Sequence, residues 1–309
     1  MAYSILANPN VAKTALDKVL FGTYNYEKHP EYATALSMSV FNQEKADSSA
    51  VISEINAPNG YWAQTAETVA YNVADPSTTQ IKTVPMIKWT QTLEITEEME
   101  ADGKFNVVRR NVEAMGVNAR KTRDLNAFDL YRGGFTTTLT HAGVTWFNDA
   151  HTTIAGGAAD NNLTDALSDA SLNDAIVQLV ELPAQDDTAG GCVPNVLLVP
   201  IAEFKNAAIL ADTEYRPGTD FNDINVYSSK YGIKVGTSNF LGTVAGGSDT
   251  AWFLLSDHHT AYRYERQAVD TRYVPKQYQN NGVAYYQGMF REAYEAMDYT
   301  GAVGSNGTT

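Results

Sequence analysis

The chain has 309 residues, 44% of them hydrophobic, with one cysteine and 22 basic against 36 acidic side chains, a formal charge of −14. That length allows a sizeable core and, as a prior, two domains, while the acidic balance argues against a surface built to grip nucleic acid. The lone Cys192 excludes an intrachain disulfide and fits a reducing cytoplasm; no apolar run approaches the ~20 residues of a membrane span, and MAYSILANPNVAKTALDKVL is not a secretory signal.

Residues 1–57 read as an arm. Asn10 is placed to cap a short helix whose apolar face is Val11, Ala15, Leu16, Val19 and Leu20. So small a face cannot fold alone. It needs either its own domain or a neighbouring subunit to lie on, and the residues leave both open. From Ala66 to Ile95 the period becomes two: Val69, Tyr71 and Val73 alternate with polar residues, and Asp75-Pro76-Ser77 turns the chain. The return strand then puts Ile81, Thr83, Ile87, Trp89, Leu93 and Ile95 on one face. Pro85 removes a ladder donor, which predicts an edge or bulged strand. An isolated hairpin is only marginally stable in water, so this one also wants a support.

Thr96 is predicted to cap a short acidic helix that Gly103 ends. The spacing of Phe105, Val108, Val112, Met115 and Ala119 then predicts one long helix over 102–134. Asp102 is its expected N-cap, and Gly133 and Gly134 its expected left-handed stop. Such a rod, roughly 40 Å long, outspans one core and serves as a spine that several subregions share. Gly116 in mid-helix costs about 1 kcal/mol, which implies close packing against another backbone. Acids among Arg109, Arg110, Arg120, Lys121 and Arg123 favour ion pairing over phosphate contact.

A polar loop leads to a second region. Leu172, Ile176, Leu179 and Val180 predict a helix, 193–200 and 251–256 read as strands covered on both faces, 201–211 as a helix, and 233–241 and 261–269 as further strands. The last six residues, GSNGTT, are expected to be mobile. Helices and strands mingle without regular βαβ repetition, which defines an α+β chain.

Catalytic motifs are missing. GTVAGG at 242–247 lacks the lysine of a phosphate loop, and the turn at 236–240 ends in Phe where a nucleophile elbow needs Gly. Asp257-His258-His259 is the best metal candidate, but adjacent strand residues point to opposite faces. Hydrogen bonds that stabilise their loop are expected of His141 and His151, and Cys192 reads as a small packed residue. In Asp160-x-Asn162-x-Thr164, Asp165 stands where a calcium loop turns on Gly. The inventory points to no cofactor and away from catalysis.

Arm, long hairpin, spine helix and mixed second region, in that order, resemble a known architecture. With KWTQTLEITEEMEADGKFN entering the spine, WFNDAHTT at 146–153, VLLVPIAEFKNAAIL at 196–210 and DTAWFLLSD at 249–257, the chain resembles tailed-bacteriophage major capsid proteins of the Hong Kong 97-type fold, in particular the Mu-like major head subunits. That resemblance implies an N-terminal arm at 1–57 and an E-loop hairpin at 58–95. It implies a peripheral domain at 96–164 with a return at 266–309, and an axial domain at 165–265. It also implies self-assembly through pentamers and hexamers into an icosahedral shell around double-stranded DNA that is enclosed but not tightly bound. Scaffold, portal and cement proteins would be further partners, and assembly would take place in the host cytoplasm. The inter-subunit contacts expected from it are Val11, Leu16, Val19, Leu20, Val69, Tyr71, Val73, Ile87 and Trp89. Two other readings are an encapsulin-type compartment shell, which shares the fold, and a metal-dependent enzyme built on His258 and His259.

Overall fold

In the computed structural model, residues 9–24, 40–56, 60–62, 64–67, 69–71, 79–213, 215, 224–278 and 282–308 are described. The spine is a 28-residue helix, and it starts three residues later than the pattern predicts. Helix α1 spans Pro9–Tyr24, α2 spans Glu97–Ala101 and the spine, α3, spans Phe105–Arg132. Thr96 caps α2 as expected, its side chain accepting from the Met99 N–H. Asp102, expected to cap the spine, instead closes α2 and pairs with Lys104 Nζ at 2.9 Å. Gly103 at φ +66° makes the corner between the helices. At the far end Gly133 is right-handed, with φ −79°, contrary to the expected left-handed stop. Gly133 and Gly134 are required by crowding: a Cβ would sit 2.5 Å from Thr137 Oγ1 at the first and 2.6 Å from Phe147 Cδ2 at the second.

The spine serves two cores. Its first half buries Val108, Val112 and Met115 against Ala12, Leu16 and Leu20 of α1 and against Ile95, Ala284 and Tyr286. Its second half buries Ala127, Phe128 and Tyr131 against Trp146, Phe147 and Phe253. Gly116 does what its position predicts: a Cβ there would lie 2.7 Å from the Leu20 carbonyl oxygen, so α1 and α3 meet backbone to backbone. Helix α1 includes Asn10 rather than being capped by it, and its buried line is Ala12, Leu16 and Leu20, with Val19 partly buried.

A four-stranded sheet carries the order β1-β11-β12-β4. Here β1 is Asn42–Lys45, β4 is Ile87–Ile95, β11 is Ala261–Val274 and β12 is Ala284–Ala296. A five-stranded sheet carries the order β7-β13-β10-β8-β9. Its strands are β7 (Asn162–Leu163), β8 (Pro194–Pro200), β9 (Lys234–Ser238), β10 (Trp252–Ser256) and β13 (Ala302–Ser305). Strands β8 and β10 are covered on both faces, as their continuous apolar runs predict. Helix α4, Asp169–Glu181, packs Leu172, Ile176 and Leu179 on that sheet beside Leu197, Trp252 and Leu254. The helix expected over 201–211 is three short turns of different pitch, Ile201–Glu203, Phe204–Ala207 and Ala208–Asp212. The tail expected to be mobile is tied down. Gly304 and Ser305 pair with Phe253 and Trp252 on one side and with Asn162 and Leu163 on the other, and the Thr308 N–H donates to the Thr164 carbonyl at 2.9 Å.

The hairpin is built from a different outgoing strand. Strand β2, Ala50–Asn56, pairs antiparallel with β3, Thr79–Pro85, from Ala50↔Pro85 to Asn56↔Thr79. Val69 and Tyr71, expected in a strand, lie outside any strand, exposed. Val73 and the expected turn at 75–77 fall outside the described residues. Pro85 sits at a switch. Up to it the chain pairs with β2; beyond it the Met86 N–H donates to the Ser49 carbonyl at 3.0 Å, and β4 joins β12 instead.

Candidate assembly surface

Helix α1 is fastened by a part-buried polar network. Asp17 of α1 accepts from Tyr286 OH at 2.7 Å and from Thr271 Oγ1 at 2.5 Å. At the end of α1, Arg120 of the spine donates to the carbonyls of Thr23 and Tyr24, and Arg123 donates to the Tyr24 hydroxyl. Arg123 also meets Glu292 at 3.1 Å and Glu265 at 2.8 Å, and Arg263 meets the same two carboxylates at 3.1 and 2.7 Å. Two guanidinium groups thus alternate with two carboxylates; Arg123, Arg263 and Glu292 are buried, where removing one partner is far more costly than on a surface, and Glu265 is half-buried. Beside them Asp124 is 2% exposed, and neither of its carboxylate oxygens has a hydrogen-bond partner. Burial pushes its carboxyl up to about 7 against the downward pull of Arg120 and Arg123, with Glu292 adding to the rise.

The hairpin root has its own node. Ser53 of β2 lies 2.8 Å from His141 Nε2 and donates to Glu295 Oε2 at 2.8 Å, while Lys82 of β3 donates to the Leu139 carbonyl at 2.7 Å. His141 therefore does hold its loop through hydrogen bonds, as its sequence context predicts, and so does His151, whose Nε2 lies 3.1 Å from the Trp146 carbonyl. The opposite face of the hairpin is bare: Ile52 is 65% exposed and Ile81 58%, and beyond Pro85 Ile87 of β4 is 52% exposed. Tyr61 reaches back across the chain, its hydroxyl accepting from the Ala189 N–H at 3.2 Å, while Trp62 stands fully in solvent.

The residues expected at subunit contacts therefore divide. Leu16 and Leu20 are fully buried in their own chain, and Val19 packs beside them; that corrects their expected inter-subunit role, because the spine already supplies the surface α1 needs. Val11, Val69, Tyr71 and Ile87 are exposed. Trp89 is half-buried and lines two clefts of about 580 and 450 Å³ between the spine and β4. Sequence reasoning missed Ile52. It also missed the Arg123 partners, which no local signal announces. The candidate metal pair does not converge: His258 is exposed, whereas His259 is buried with Nδ1 accepting from the Ala261 N–H at 3.4 Å. Among the described residues no group of three or more His, Cys, Asp or Glu could hold a metal ion, and no helix is long and apolar enough to cross a membrane.

The hairpin thus presents an uncovered apolar face on the side away from its hydrogen-bonded contacts with the body. A profile of the family described as phage capsid protein matches residues 80–304, and this chain belongs to that family. No curated protein sequence matches it. Among solved structures it is similar to the mature capsid of bacteriophage PhiM1, with TM-score 0.55 and 10% identity over 87% of this chain and 86% of that one. It is similar to the capsid of cyanophage P-SCSP1u, with TM-score 0.53 and 11% identity over 88% of each. A virus-like particle from Pyrococcus furiosus gives TM-score 0.52 and 10% identity over 94% and 98%. The fold is the Hong Kong 97-type capsid fold, α+β as the sequence predicts, and the protein is structural, not an enzyme. The family match does not favour the compartment reading.

Proposed function

We propose that the chain is the major head subunit of a tailed phage, closing through pentamers and hexamers into an icosahedral shell around double-stranded DNA. The observation that carries this is the family match over 80–304 on a chain whose hairpin leaves Ile52 and Ile81 uncovered, with Ile87 exposed at the start of β4. A second copy is the natural cover for that face, since exposed apolar surface at a hairpin is stabilised by association, and subunits arranged in rings make contacts that close by rotation. Residues 1–57 then correspond to the arm, 58–95 to the E-loop, 96–164 with 266–309 to the peripheral domain and 165–265 to the axial domain. The pairing of Ala50–Asn56 with Thr79–Pro85 supports extending the E-loop back to residue 50, with the arm ending before it. Val11, Val69, Tyr71, Ile87 and Trp89 are the proposed contact residues. Scaffold, portal and cement proteins are proposed partners, and the host cytoplasm the place of assembly. A net charge of −14 suits walls that let DNA spool without sticking.

Electron microscopy and light scattering of the purified recombinant chain test the reading, alone and with a candidate scaffold supplied. Closed shells or capsomer rings are expected. A chain that stays monomeric under both conditions refutes it. A terminase or portal gene beside the coding sequence is expected; a peroxidase or ferritin-like neighbour would instead favour a compartment.

A further inference from the structure

Trp62, between β2 and β3, stands fully in solvent, yet the backbone that carries it is held. Just before it the Gly60 N–H donates to Asp186 Oδ2 at 3.0 Å, and the Tyr61 hydroxyl accepts from the Ala189 N–H at 3.2 Å. Asp186 is itself fixed, its Oδ1 accepting from Thr188 Oγ1 at 2.6 Å, and a bridge between Pro183 and Ala189 closes that turn. An indole on a held backbone loses little beyond its own two side-chain rotations on binding, which makes it an efficient anchor. Neither Asp186 nor Ala189 lines the cleft of about 580 Å³ between the spine and β4, so Trp62 is kept out of its own chain's cleft.

We propose that Trp62 of one copy inserts into this cleft of a second copy, with Glu67 drawn towards Lys121. The inference deepens the shell reading and rests on it. Trp89, Met115, Leu125, Met289 and Phe290 line the cleft, and aromatic rings with soft thioethers suit an indole. Leu125 is exposed there, so an inserted ring would cover apolar surface that the single chain leaves in water. Charge selects the same segment. Lys121 is the only charged residue lining the cleft, whereas residues 57–78 carry Glu67 and Asp75 and no Lys or Arg. Opposite charges orient such a contact and discourage wrong partners. Anchor and cleft lie on different parts of the chain, so each copy uses both, and the contact propagates from copy to copy until rotation closes it.

Cross-linking between copies tests it. Gln64→Cys, two residues from the anchor, and Asn118→Cys, on the spine at the cleft, are assembled separately and together on the full chain and treated with a short bis-maleimide. A cross-linked dimer band is expected from the mixed particles and from neither variant alone, since Cys192 is buried. Particles that form without that band overturn the proposal, whatever else fills the cleft, and leave the shell reading standing; wild-type chain that never assembles overturns both. If one variant does not fold, Thr65→Cys or Thr122→Cys takes its place. Trp62→Ala gives an independent check. Its melting temperature is expected within about 2 °C of wild type, as the ring is already in solvent, while particle yield falls at least about tenfold. An unchanged yield overturns the proposal.

Discussion

Replacing Asp124 by Asn removes one pH-dependent contribution to the stability of the folded chain. The Asp124 carboxyl is pushed up to about 7 from 3.8 by burial. Its folded form therefore binds a proton more tightly than the unfolded chain does. For a group raised in this way, stability is fully present below pH 4 and is lost as pH rises towards 7. At about 1.4 kcal/mol per pH unit the loss is about 4 kcal/mol in all, and no solvent discount applies to a residue 2% exposed. Asn brings two amide hydrogens into the same site, where unsatisfied donors cost about 1–3 kcal/mol. That offset is the same at every pH, so the difference between the two pH values isolates the carboxyl. Urea unfolding of monomeric wild type and Asp124→Asn from pH 5.5 to 8 avoids the region near the pI of about 4.7. Across that range the variant is expected to gain about 2 kcal/mol on the wild type, most of it by pH 7. A difference between the two proteins that stays constant across this range would refute the assignment.

The buried network gives a second test: Glu292→Gln leaves Arg123 and Arg263 short of a carboxylate and is expected to cost about 3–5 kcal/mol in urea unfolding. Gly116→Ala gains helix propensity but drives a methyl group into the Leu20 carbonyl; a net loss of about 1–3 kcal/mol and earlier protease cleavage in α1 are expected. Ile52→Ser with Ile81→Ser should leave the melting temperature of the isolated chain within about 2 °C, since both side chains are already in solvent, yet sharply reduce particle yield; unchanged yield would remove the hairpin from the proposed contacts. At physiological salt the isolated chain should show no retention on duplex DNA by gel shift, as its net charge of −14 opposes phosphate binding.

Which parts were legible follows from where the physical signal sits. The spine could be read because its apolar spacing is local, and Gly116 because a mid-helix glycine needs a reason. Strands β8 and β10 could be read because a strand covered on both faces is apolar throughout. Strand β2 could not. It buries Ser53 and exposes Ile52, so its pattern inverts the usual alternation, and Ala66–Val73 offered a cleaner but false period. The tail failed for a different reason: Gly304 and Ser305 are held through main-chain pairing, which side chains do not reveal. The partners of Arg123 stand 142 and 169 residues away at Glu265 and Glu292. Ion pairing was predictable from the spine's mixed charges, but the identity of the acids was set only by the register of β11 on β12.

The division between the inner and outer faces of the hairpin has a thermodynamic logic. Two strands alone in water are marginal, so a hairpin held only by its own ladder would sample many directions and lose that freedom on meeting a partner. Here Ser53 and Lys82 tie its inner face to His141, Glu295 and Leu139, while Ile52 and Ile81 stay outside. The polar contacts fix direction, and the apolar face is left to provide attraction. A segment already oriented loses less entropy on association, so a modest apolar stripe suffices for a specific contact. The polar contacts and the stripe are therefore coupled: removing the first weakens assembly through entropy, without altering a single residue of the contact itself.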